Sequence, residues 1–185
     1  MAVSVNIRLD KRATDTLLSN LGNPRLRARA QNNAINRTIT MANTQVRREV
    51  KEEMQLKNLQ PLRNQLRLTR SRPATLAAVL KGMGEPIPYS KMKGVRASRS
   101  GSIVTSRRSD GDKRHERAFK KRLSTGHLGY FQRLNERTRR FRELKGPGIG
   151  WAMEKDKVVQ AFQKVVDQRY IQRLRHEVGR LMRRR

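Results

Sequence analysis

Residues 23–55 constrain this chain more than any other stretch, because they read as one helix longer than a small domain needs. Asn23 is a favourable N-cap, and Pro24 follows where the first helical turn has no intrahelical partner for its N–H. Ala28, Ile35, Ile39, Ala42, Val46, Val50 and Met54 recur at steps of three, four and seven residues, which predicts one apolar stripe. At roughly 1.5 Å per residue such a helix reaches about 50 Å, where an average helix has about 11–12 residues. The rest of the chain is expected to arrange itself along this spine.

A second row on the same helix, Asn33, Asn36, Thr40, Asn43 or Thr44, and Arg47, uses residues that form helices poorly. Two explanations stay open. The row packs against the domain or another subunit through satisfied hydrogen bonds, or it is a solvated face with no partner. Asn33, Asn36, Arg37 and Thr40 are the polar candidates for a subunit interface.

Around this spine the sequence predicts a strand at residues 3–9, where Val3, Val5, Ile7 and Leu9 alternate with polar residues, and a short helix from Asp10 to Gly22. Residues 58–73 form a basic connection whose Leu59, Leu62, Leu66 and Leu68 should tuck under the domain while Arg63, Arg67, Arg70 and Arg72 stay wet. Strands are expected at 76–80 and 87–89, the second demoted to an edge by Pro86 and Pro88. Residues 94–116 are rich in Gly, Ser and Arg and predict a flexible basic hairpin or loop. An antiparallel meander should follow through 118–120, 127–132 and 139–144, then Gly-Pro punctuation at 146–150.

The last helix is expected from about residue 154 to 182. Val159, Phe162, Val166, Tyr170, Leu174, Val178 and Leu181 mark its stripe, broadened by Val158, Val165 and Ile171. Because the stripe persists to the final turn, Phe162, Tyr170, Leu174, Val178 and Leu181 join the candidates for contact with neighbouring subunits. The fold class is therefore α+β, with an antiparallel sheet packed against a long helix in the N-terminal half and a long C-terminal helix. The division expected is a domain at 1–153 and an amphipathic helix at 154–185.

Charge dominates the chemistry. With 44 Lys and Arg against 15 Asp and Glu, the net charge is +29, which draws a chain to polyanions or acidic protein surfaces. Residues 63–142 alone hold 22 basic and five acidic residues. Within them Arg96, Arg99, Arg107, Arg108, Lys113 and Arg114 are the candidates for contact with DNA or an acidic partner. Aromatic residues make up only 4% of the chain, and no stacking platform or base-reading helix is visible, so sequence-specific binding is not expected. Without cysteine the chain has no disulfide framework and no thiolate zinc site. His115, His127 and His176 stand far apart, Asp110 and Asp112 lack the other ligands of a calcium loop, and the 146–150 segment lacks the lysine of a phosphate loop. No catalytic, cofactor-binding or metal-ligating residue is assigned. Neither a signal peptide nor a membrane span is expected, which places synthesis in the cytoplasm.

The order of segments carries a resemblance. It runs from Ala34-Ile35-Asn36-Arg37-Thr38 through Leu62-Arg63, Leu66-Arg67, Arg72-Pro73-Ala74-Thr75, Ile87-Pro88 and Ala118-Phe119. It continues with Gly126-His127-Leu128-Gly129-Tyr130-Phe131-Gln132-Arg133, then Arg142-Glu143-Leu144-Lys145-Gly146-Pro147 and a final helix. In this order the chain resembles the minor tail protein Z family, the tail completion proteins of long-tailed bacteriophages. The resemblance implies a non-enzymatic virion component at the head-proximal end of the tail. Its partners would be tail tube, tail terminator and neck proteins, its assembly a homo-oligomeric ring, most plausibly a hexamer, with nonspecific contact to viral DNA. The rival drawn from charge alone is a cytoplasmic, sequence-nonspecific nucleic-acid-binding protein.

Overall fold

The structure is a computed structural model that describes residues 3–5, 11–98, 102–107, 111–135 and 140–183, with the side chains of 3–5, 11, 106 and 107 left aside. Asn23 caps the long helix as expected, its side chain accepting a 2.9 Å bond from the Arg25 amide ahead of α2 (Pro24–Glu53). The apolar stripe starts at Ala30, not at Ala28, which is only partly covered. Ala30, Ala34, Thr38, Ala42, Val46, Val50 and Met54 are buried at every fourth residue. The final helix, α5 (Asp156–Met182), repeats the device with Val158, Phe162, Val166, Tyr170, Leu174 and Val178. Each step of four overshoots a helical turn by about 40°, so both rows wind slowly around their axes. The two helices pack on each other more extensively than any other pair of elements. They run antiparallel, since Asn33 near the start of α2 meets Glu177 near the end of α5.

That arrangement corrects two expectations. Val159 is 38% exposed, and Val158 takes its place inside. Phe162, Tyr170, Leu174, Val178 and Leu181 are all buried in the chain's own core, so the stripe is not presented to another subunit. Desolvation also raises the ionisation point of the Tyr170 hydroxyl, in keeping with its burial between the helices. The length of α5 is accounted for by α2 and by α1 (Lys11–Ser19), which packs on its flank.

The α+β class and both long helices are as expected, while among the described residues the strands divide into three antiparallel sheets of three instead of one. The first has the order β1-β3-β2, from β1 (Val3–Val5), β2 (Leu66–Thr69) and β3 (Val79–Gly82). Residues 6–9 of the predicted first strand lie outside the described residues. A short helix, α3 (Gln60–Gln65), precedes β2 and buries Leu62, whereas Leu59 is 40% exposed instead of tucked under. The strand expected at 76–80 begins only at Val79, because Leu76 closes a turn on Arg72 with φ 47°. At 87–89 there is no strand: Pro88 makes an isolated bridge to Lys145 and the chain enters a 3-10 turn at Tyr89–Lys91.

The predicted basic loop is a second sheet in its described part, β4 (Val95–Ala97), β5 (Ile103–Arg107) and β6 (Gly111–His115). The expected meander is the third, β7 (Ala118–Arg122), β8 (Leu128–Arg133) and β9 (Phe141–Glu143). A turn with Gly126 at φ +81° joins its first two strands. The Gly-Pro segment proves to open a further helix, α4 (Ile149–Met153), which buries Ile149, Ala152 and Met153. A Cβ at Gly148 would collide with the backbone of Gly84, so glycine there is a packing requirement.

Phe162→Ala should lower unfolding stability in urea by about 3–5 kcal/mol, the range for removing a buried aromatic side chain. Val159→Ala should stay within about 0.5 kcal/mol. Equal losses from the two would refute the assigned face of α5.

Candidate functional site

The four polar candidates on α2 converge on an open groove between α2 and α5, of about 680 Å³. Asn36 is fixed by reciprocal bonds to the Ser71 backbone, donating from Nδ2 to the carbonyl at 3.0 Å and accepting from the amide at 2.8 Å. Thr40 donates to the Asn36 carbonyl at 2.8 Å, a bond to the preceding turn that frees the helix of an unsatisfied hydroxyl. Asn33 donates to Glu177 Oε2 at 3.1 Å. Of the polar row, Asn33 and Asn36 therefore pack through hydrogen bonds to other parts of the same chain, whereas Thr40, Thr44 and Arg47 bond the preceding turn of α2 and both threonines are exposed.

Glu177 organises the groove. Its side chain is 2% exposed, and Arg180 donates to Oε2 from Nη2 at 2.6 Å and from Nε at 3.1 Å. Arg37, itself 65% exposed, approaches Oε1 to 3.6 Å, and His176 Nδ1 stands 3.9 Å from the same oxygen. Burial alone would push the Glu177 carboxyl up. The hydrogen bonds from Arg180 and Asn33 and the charges of Arg180 and Arg37 outweigh it and hold the group below the ordinary carboxylate value. Arg70 and Arg173 also line it, so four arginines and one carboxylate give the groove an excess of positive charge. Such a concave cationic surface attracts phosphates and carboxylates.

The basic candidates of the middle sheet do not form one patch. Arg96 and Arg114 both pair with Val104, so they flank it on the outer face. Lys113 pairs with Thr105 and belongs to the opposite face. There it lines a second hollow, of about 740 Å³, with His115, Arg142 and Lys145. In this hollow His115 Nε2 lies 3.3 Å from the Tyr89 hydroxyl and 3.4 Å from Thr105 Oγ1. Arg107 is on β5 with its side chain outside the described set, and Arg99 and Arg108 lie outside the described residues. An aromatic platform, absent from the sequence expectation, is present on the third sheet, where Phe119, Phe131 and Phe141 meet with ring centroids 5.1–6.2 Å apart.

Among the described residues no three His, Asp or Glu side chains converge to hold a metal ion, and no helix is long and apolar enough to cross a membrane. No family model, curated protein or solved structure matches the chain.

Because the folded Glu177 carboxyl is held low, its contribution is present above the ordinary carboxylate pKa and is lost as pH falls through the folded value. Glu177→Gln should cost about 1.5–3 kcal/mol at neutral pH, the range for hydrogen bonds to a charged group. Urea unfolding at several pH values should show the gap between wild type and variant closing below about pH 4.5. A gap independent of pH would contradict the charged network.

Proposed function

We propose that this chain is a structural virion protein, a tail completion protein at the head-proximal end of a long phage tail. It is made in the host cytoplasm and acts without catalysis. Assembled as a ring, most simply a hexamer, it meets tail tube, tail terminator and neck proteins, closes the upper end of the tail and lets head and tail join so that DNA passes correctly. Two supports come from the sequence: the order of segments from Ala34 to the final helix, and the charge of +29. The observation that carries most weight in the structure is that the basic groups stand on rigid elements around a core complete within one chain. The α2–α5 groove is organised by Glu177, and Arg96 and Arg114 stand on the two outer strands of the middle sheet, each opposite Val104. Rigid cationic surfaces lose little side-chain freedom on meeting an acidic neighbour or the DNA path.

In this function the interface moves off the buried stripe of α5 and onto the groove beside it, lined by Arg37 of α2, Arg70 after β2 and Arg173 of α5. The alternative is a cytoplasmic, sequence-nonspecific nucleic-acid-binding protein, which the charge alone would support. A salt-dependent gel shift unaffected by added tails would favour it.

Imaging particles made without the chain should show tails of normal length that fail to yield infectious virions. Replacing Arg96 and Arg114 together by serine should leave the unfolding midpoint unchanged and lower the infectious titre. Normal titre with that pair would remove the outer face of the middle sheet from the assembly, and normal particles without the chain would end the proposal.

A further inference from the structure

Three of the chain's four phenylalanines, one from each of three consecutive strands, are brought by register to one face of the β7–β8–β9 sheet. Phe119 pairs directly with Phe131, and Phe141 pairs with Arg133, one step along the same face. Phe119 and Phe131 both meet the ring of Phe141 edge-on, at interplanar angles of 77° and 75°. Phe131 lies against Gly129, where any Cβ would strike its ring, and is 4% exposed. It is nevertheless separate from the main core cluster. It acts as a pillar for its neighbours, leaving Phe119 partly covered and Phe141 37% exposed.

Cations lie over two of these rings. The Lys121 ammonium is 5.2 Å from the centroid of Phe141, and the Arg133 guanidinium is 5.9 Å from that of Phe119. The carboxylate on the same face, Glu143, is engaged by His127 at 2.8 Å. An exposed aromatic surface flanked by positive charge sets two demands on an occupant. An apolar protein surface would cover the rings but desolvate Lys121 and Arg133 without compensation. An acidic peptide would answer the cations and leave the rings in water. Duplex DNA offers phosphates, but its base faces are already stacked. A single strand supplies both flat base faces and a phosphate backbone.

We propose that this face binds single-stranded nucleic acid, with unpaired bases taking the ring faces of Phe141 and Phe119 and the long side chains of Lys121 and Arg133 turning from those faces to the phosphates. The site stands independently of the tail reading and gives a location to contacts that charge alone leaves diffuse.

The test uses the full chain and fluorescence anisotropy with three labelled probes: an oligothymidylate, an abasic phosphodiester of the same length, and a duplex. The oligothymidylate should bind about 5–100-fold more tightly than the abasic strand, the range of one stacked base. Phe141→Ala should remove most of that preference at every salt concentration without changing the slope of log affinity against log salt. Lys121→Ala with Arg133→Ala should make the slope shallower by about 1.4, two single-strand phosphate contacts. Phe141→Leu keeps apolar bulk but no flat ring, so it should lose the preference as Phe141→Ala does, with an unchanged unfolding midpoint as the check on folding. Equal affinity for thymidylate and abasic strands, or native binding by Phe141→Leu, overturns the proposal. A chain that completes tails yet shows no base preference would sink this site and leave the tail function standing; a base preference in a chain absent from virions would do the reverse.

Discussion

The pairing of α2 with α5 is the contact on which everything else rests. A chain carrying +29 repels itself when compact, and only apolar burial on a sufficient scale opposes that repulsion. The two helices supply it along most of their 30 and 27 residues, each giving a buried residue at every fourth position. Alanine dominates the first half of the α2 row, with Ala30, Ala34 and Ala42, and lets the α5 backbone approach where Tyr170, Leu174 and Val178 provide the bulk. The sheets are small and contribute fewer fully buried side chains, so they depend on this spine for their placement.

One buried charge is built into that contact. Glu177 sits where α5 passes the start of α2, and its carboxylate is tolerated because Arg180 and Asn33 bond it directly and Arg37 stands close by. Asn36, one turn along α2, ties the same helix to the chain at Ser71. These polar links define one relative setting of helices and loop, where apolar contacts alone would allow sliding. The arginines that neutralise Glu177 outnumber it, which is why the packing device leaves positive charge on the surface.

Much of the helical framework was legible in the sequence, since caps and periodicity are local. Asn23 and Pro24 marked the start of α2 correctly, and most of its apolar row followed from spacing. The misplacements have physical causes. Ala28 and Val159 share a helical face with core residues, but the rows wind at steps of four and leave them at the margin. The α4 helix was hidden because Gly146, Pro147, Gly148 and Gly150 look like turn residues, while their smallness serves close packing against Gly84 and Met92. Of the groove, Asn33, Asn36, Arg37 and Thr40 were found from one helix, but Glu177 is more than a hundred residues away and no local signal links them. The phenylalanine face was missed for a different reason: 4% aromatic content says nothing about whether the few rings meet, and strand register alone decides it.

Dividing the strands of the described residues among three small sheets multiplies sheet borders. A sheet border is where a further extended segment can add by backbone pairing, an invitation that can end in fibres. Here the bordering strands of the second and third sheets carry Arg96, Lys113, Arg114, Lys120, Lys121, Arg122 and Arg142. Two copies approaching border to border would set like charges opposite one another, so the molecule discourages zipping onto itself. A strand that did add to these borders would have to bring negative charge, which turns a hazard of the architecture into a filter on its company.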